Sequence, residues 1–173
     1  MSHSYGFINL SLIMDRKHFQ PAGFLPGIIL LASFILMVSC SKNQETEIYS
    51  SMDQEILQLI NLHRISIGKV ELTMNQTIWN EAKLHSTNMA NGTVGVSHDG
   101  FADRIARIKA EIGGGSAGEN VAYGFTTAQS VVDGWLSSSG HKANIEGDFT
   151  LTGISAVQNN SGSWYFTQIF LKK

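Results

Sequence analysis

The sequence predicts an α+β protein with helices packed on an antiparallel sheet, and three observations carry that prediction. Apolar residues recur at helical spacing from about residue 52 to residue 136. The last twenty or so residues change to the β-branched and aromatic composition of a hairpin. No regular strand–helix–strand alternation connects the two regions, as a parallel sheet would require.

The elements follow in order. Ser51-x-x-Gln54 reads as a capping box, and Ile56, Leu59, Ile60, His63 and Ile67 continue at helical spacing. The first helix is therefore expected over 52–67, stopped by Gly68. Asn75 is placed to cap a second helix whose stripe is Ile78, Ala82, His85 and Met89, with Asn91-Gly92 ending it. Asp99 is expected to cap a third, carrying Ile105, Ile108 and Ile112 and closed by Gly113. Residues 117–125 read as extended. Thr126-x-x-Gln129 opens a further helix bearing Val131, Val132, Trp135 and Leu136. Residues 151–157 and 163–171 should pair as an antiparallel hairpin around a turn at 159–162. Trp79, Trp135 and Trp164 are expected as core anchors, and His63 and His85 as satisfied core or boundary histidines.

The first forty residues bear on location. Residues 24–38 hold no charge, follow Arg16 and Lys17, and lead to Ser39 and Cys40, the single cysteine of the chain. Basic, apolar and small residues in that order make a secretory signal. A lone cysteine at the cut is similar to a bacterial lipobox, which makes Cys40 the expected lipidation site. A membrane-spanning helix takes about 20 apolar residues, more than this run offers. Met14 would be a more typical start for such a signal. Residues 1–39 are thus expected to be a lipoprotein signal, 40–52 a polar tether, and 53–173 one domain.

Residues 40–173 carry ten Lys and Arg against thirteen Asp and Glu, with no basic cluster. That removes the electrostatic footprint of a nucleic-acid binder. With no second cysteine there is no disulfide partner, so packing must hold the exported domain together.

Two motifs match by letter and fail by context. Gly113-x-Gly115-x-x-Gly118 fits a dinucleotide fingerprint, and Gly114-x-Ser116-x-Gly118 fits a nucleophile elbow. Both need a strand before and a helix after, whereas here a helix precedes and a strand follows. No HExxH zinc motif is present. Ser137–Ser139 beside His141 lacks an orienting acid nearby in sequence, so a serine–histidine pair is not expected.

Three segments retain chemical interest: VSHDG with His98, GENV with Glu119, and WLSSSGHKAN with His141. Two imidazoles and a carboxylate form either a facial metal set with an open position or a general-base arrangement. On spacing alone, solvated loop histidines are an equally good account.

Together HDGFADR, GENVA, WLSSSGHKAN and the final GSWYFTQIF have the order and spacing of the CAP superfamily, the cysteine-rich secretory, antigen 5 and pathogenesis-related 1 proteins. Ile60-Asn61-x-x-Arg64 resembles that family's opening. The likeness spans about residues 53–171 and is to the cysteine-free bacterial branch. It implies a three-layer α-β-α sandwich with a central antiparallel sheet and an open cleft. In the family that cleft holds two histidines and two acids, which bind divalent metal, often zinc, in some members. Carried over, His98 and Glu119 match the first histidine and first acid. The second acid falls near Ser138 and the second histidine near Tyr165, so the resemblance implies that both are lost here. The resemblance thus implies a cleft lined by His98, Glu119, His141 and Tyr165, with His98, Glu119 and His141 as the candidate metal ligands and zinc as the candidate ion.

The leading expectation is a non-enzymatic, lipid-anchored monomeric module at the cell envelope, on its periplasmic or cell-surface face. It would bind a small molecule, lipid, peptide or glycan, and its membrane partner would be reached through Cys40. A metal-assisted hydrolase and a structural envelope protein with a vestigial cleft stand as the alternatives.

Overall fold

A computed structural model describes residues 49–173; the signal-like run, Cys40 and most of the expected tether lie outside the described residues. The elements are α1 (Ser51–Ser66), β1 (Thr73–Met74), α2 (Gln76–Ala90), α3 (Phe101–Ile112), β2 (Ala117–Tyr123), α4 (Ala128–Ser137), α5 (Ser139–Ile145), β3 (Leu151–Gln158) and β4 (Trp164–Leu171). No helix among the described residues is long and apolar enough to cross a membrane.

The sheet order is β1-β3-β4-β2. The expected hairpin forms, with Leu151 opposite Leu171 and Gln158 opposite Trp164, and β2 adds antiparallel to β4. The sheet is nevertheless mixed, because the two-residue β1 pairs parallel with β3. Alternation along the strands separates two cores. Ala122, Ile154, Phe166 and Phe170 pack with Ile56 and Ile60 of α1, Val131, Val132 and Trp135 of α4, and Ile145 of α5. Ile169 and Leu171 pack with Ile78 and Ala82 of α2 and Ile105 and Ile108 of α3. The three expected layers are therefore α1/α4/α5, the sheet, and α2/α3.

Three helix starts differ from the sequence expectation. The first capping box joins Ser50 to Asp53, not Ser51 to Gln54, so Ser51 and Met52 belong to the helix and not to the tether. Asp53 is fixed there because its carboxylate also accepts from Trp79 Nε1 at 3.0 Å and from the Ala156 amide at 2.8 Å. Thr127 and Ser130 form the box expected of Thr126 and Gln129. Gly100 and not Asp99 is the N-cap of α3, at φ +76° and with no side-chain cap. The helix expected around Trp135 also breaks at Ser138, whose extended backbone separates α4 from α5.

The motif Asn61-x-x-Arg64 does structural work. Asn61 pairs both ways with the Leu72 backbone, at 3.0 and 2.8 Å. Arg64 is fully buried and donates to four carbonyls, those of Val70, Ile145, Gly147 and Phe149. Burial alone lowers its pKa, an effect that Asp148 opposes. On the other side of the sheet, β3 and α2 meet backbone to backbone at Gly153, where a Cβ would stand 2.3 Å from Ile78 C and Trp79 N. Beside this contact Ser86 Oγ lies 3.0 Å from Ser155 O and 2.8 Å from Thr167 Oγ1.

Candidate functional site

The site is built at the free edge of β2. Glu119 is the third residue of that strand, and its side chain faces α2 and α3 because it shares the register position of Ile169. Gly118 before it has no room for a side chain: a Cβ there would sit 2.7 Å from Asn144 Oδ1. This is the physical content of the glycine in GENVA. Asn144 donates to Glu119 O at 3.0 Å and to Asn120 Oδ1 at 2.9 Å, and Asn120 donates to His141 O at 3.1 Å. Asn144 and Gln168, which donates toward Thr152 Oγ1 at 3.3 Å, are structural hydrogen-bonders as expected.

His98 lies in the loop between α2 and α3. Its Nδ1 is 2.9 Å from Glu119 Oε1, with the ring side chain about half exposed and the carboxylate 1% exposed. The other partner is Arg104 of α3, whose Nε and Nη2 donate to Oε2 at 2.9 and 2.7 Å, while Nη2 also reaches Oε1 at 2.8 Å. The third arm, Nη1, donates to Asp99 O at 2.7 Å. Asp99 therefore serves the site through its carbonyl and does not cap the helix.

A carboxylate paired with a guanidinium is an acceptor only. His98 then donates from Nδ1; in the neutral ring this fixes the tautomer and leaves the lone pair on Nε2. An oriented neutral imidazole can accept a ligand hydrogen or take up a proton.

The structure brings His98 and Glu119 into contact, and it sets His141 within electrostatic reach of His98. Burial first, and then the charge of His98, lower the His141 pKa. Among the described residues the His141 ring makes no hydrogen bond. Tyr165 occupies the same sheet face but farther along. It lies opposite Tyr123, with ring centroids 4.8 Å apart, and Tyr123 is four residues from Glu119, roughly 13 Å at strand rise.

The three residues expected as metal ligands do not form a metal-holding group. No three His, Cys, Asp or Glu side chains among the described residues converge to hold an ion. Glu119 gives both oxygens to Arg104, and a guanidinium so close repels a divalent cation. The donor set does not fit zinc.

Arg104 is the functional residue that sequence reasoning passed over. The signal was available, since Arg104, Ile108 and Ile112 are spaced i, i+4 and i+8 along an apolar stripe. A charge on such a stripe needs a buried partner.

His85 lies behind the site. Its Nε2 donates to Ser97 O at 2.8 Å, and the residue is buried as expected. His63, also as expected, is a satisfied boundary residue, 2.9 Å from Glu146. Burial is the main cause that lowers the His85 pKa; Ser97 and Glu119 oppose it, while Arg104 and His98 add to it. A histidine below its unfolded value of about 6.5 binds more protons when unfolded. Its stability contribution is complete above that value and is lost as pH falls through it. Urea midpoints should drop from pH 7 to pH 5, and His85→Gln, which keeps a donor for Ser97, should shrink the drop.

The cysteine-rich secretory protein (CAP) family model matches residues 57–170, covering both the sheet and this site. The chain belongs to the CAP family. Among curated relatives it is 27% identical over 151 residues to the uncharacterised membrane protein YlbC of Bacillus subtilis (strain 168), covering 84% of this chain and 42% of the relative. It is 29% identical over 128 residues to YkwD of the same organism, covering 72% of this chain and 48% of that protein. The chain thus spans less than half the length of these CAP relatives. Among solved structures, an extracellular protein with an SCP domain from Bacillus anthracis str. Ames matches at 29% identity and a TM-score of 0.62, covering 74% of this chain and 42% of that one.

Proposed function

We propose that this CAP protein is an exported, lipid-anchored module that binds a small or extended ligand at the β2 edge, with His98 Nε2 as the recognising acceptor. The observation that carries the reading is the half-exposed His98 ring locked by a buried carboxylate–guanidinium pair. Burying and pairing Glu119 and Arg104 beneath one solvent-facing imidazole serves a site better than it serves packing, since apolar residues would fill the volume with less desolvation cost. Envelope location is supported by the signal-like run ending at Cys40 and by relatives named as membrane and extracellular proteins.

The test uses full-length protein extracted from membranes, with mass spectrometry expected to find a diacyl or triacyl group on Cys40. Imidazole ¹⁵N resonances are then followed during titration with N-acetylglucosamine oligomers, muramyl peptides and lysophospholipid. One class should move His98 Nε2, and His98→Ala should weaken that binding at least tenfold, about 1.4 kcal/mol. If all three probes leave His98 unmoved, the ligand reading fails and a structural envelope protein remains.

The same fixed tautomer favours a second reading. An outward imidazole oriented by a carboxylate is also a general base for water, so a hydrolase of envelope substrates would show turnover that His98→Ala abolishes.

A further inference from the structure

The divalent-ion chemistry implied by the family likeness needs carboxylate oxygens free to face an ion. Glu119 has none free. Arg104 covers Oε2 with two nitrogens and shares Oε1 with His98. Arg104 is no surface counter-ion, because its side chain is 6% exposed and its remaining arm is tied to Asp99 O. The backbone is shaped to admit it: a Cβ on Gly100 would press to 3.3 Å from Arg104 Nη1. Lysine, a single point charge, could not span both carboxylate oxygens and a carbonyl together.

We infer that Arg104 is the resident cation of this cleft: its guanidinium occupies the face of Glu119 that a divalent ion would need, so the cleft works without metal. It follows, on the ligand reading above, that ligand is met by His98 Nε2 directly as a hydrogen-bond acceptor. Recognition then favours hydroxyl- or amide-bearing molecules over groups that need a bridging metal. The cation assignment itself does not depend on any ligand being found.

Zinc(II) and cobalt(II) are the probes, added to full-length protein in detergent micelles. In the natural chain, a tenfold excess of zinc should leave the His98 ¹⁵N resonances unmoved. Arg104→Ala strips the guanidinium and frees the carboxylate. That variant should bind cobalt at least tenfold more tightly than the natural chain, with tetrahedral visible absorbance, and zinc should raise its Tm. Adding His98→Ala to it should abolish the gain. Arg104→Gln serves if the alanine variant does not fold, and if neither folds the zinc titration of the natural chain decides alone. One equivalent of zinc bound by the natural chain with a shift of His98 overturns the inference, as does a folded Arg104 variant that gains no metal affinity. A failed sugar, peptide or lipid titration would leave these results untouched, so the two readings fail separately.

Discussion

Gly153→Ala should be among the most damaging single-methyl additions available in this domain. The new Cβ would stand 2.3 Å from backbone atoms of Ile78 and Trp79 and 2.7 Å from Ile78 O. Helix backbone cannot rotate aside as a side chain can, so α2 must lift from β3 as a unit. That would part Ser86 from Ser155 and Thr167 and open the core around Ile78, Ala82 and Ile169. We expect a loss of roughly 3–5 kcal/mol, read by calorimetry as a Tm lower by roughly 15 °C. Gly140→Ala is the matched control. Gly140 lies in α5 with nothing within 4 Å of its would-be Cβ, so alanine there should be neutral or stabilise by up to about 1 kcal/mol. Equal Tm values for the two variants would refute the close helix–strand approach.

Arg64→Met should cost a comparable amount by another route. Methionine fills part of the space but donates nothing, leaving the carbonyls of Val70, Ile145, Gly147 and Phe149 short of a donor in a largely dry interior. Each buried acceptor left unsatisfied costs about 1–3 kcal/mol. Partial relaxation and water entry should limit the total to roughly 3–5 kcal/mol. Three of the four carbonyls belong to the last residue of α5 and the segment following it, so amide exchange there should accelerate more than in the β3–β4 hairpin. Uniform acceleration across the sheet would argue against a local clamp.

Much of this architecture was legible in the sequence where one residue type answers to one physical demand. The stripe Ile78, Ala82, His85 and Met89 is buried as its spacing requires, and the hairpin of 151–158 with 164–171 follows from its composition. The α2/α3 and α1/α4/α5 layers came from family likeness, since periodicity does not say which face of a sheet a helix covers. The caps slipped by one residue because partners distant in sequence decide them. Asp53, held by Trp79 and Ala156, draws the α1 box to Ser50, and no local pattern reveals that. In the site, His98 and Glu119 were found through their motifs. The pairing of Glu119 was not legible because its main partner, Arg104, is fifteen residues upstream on another element.

The outer border of β2 limits what can pair with this edge of the sheet. Gly124 N donates to Trp164 O, so the even positions of this stretch face β4 and the carbonyls of Glu119 and Val121 face outward. Those two outward oxygens are already taken by Asn144 Nδ2 and, at 3.4 Å, by the indole of Trp135. An incoming extended chain would find those two acceptor rungs filled. A second copy of the chain would meet the same filled acceptors along this border, which disfavours edge-to-edge pairing there.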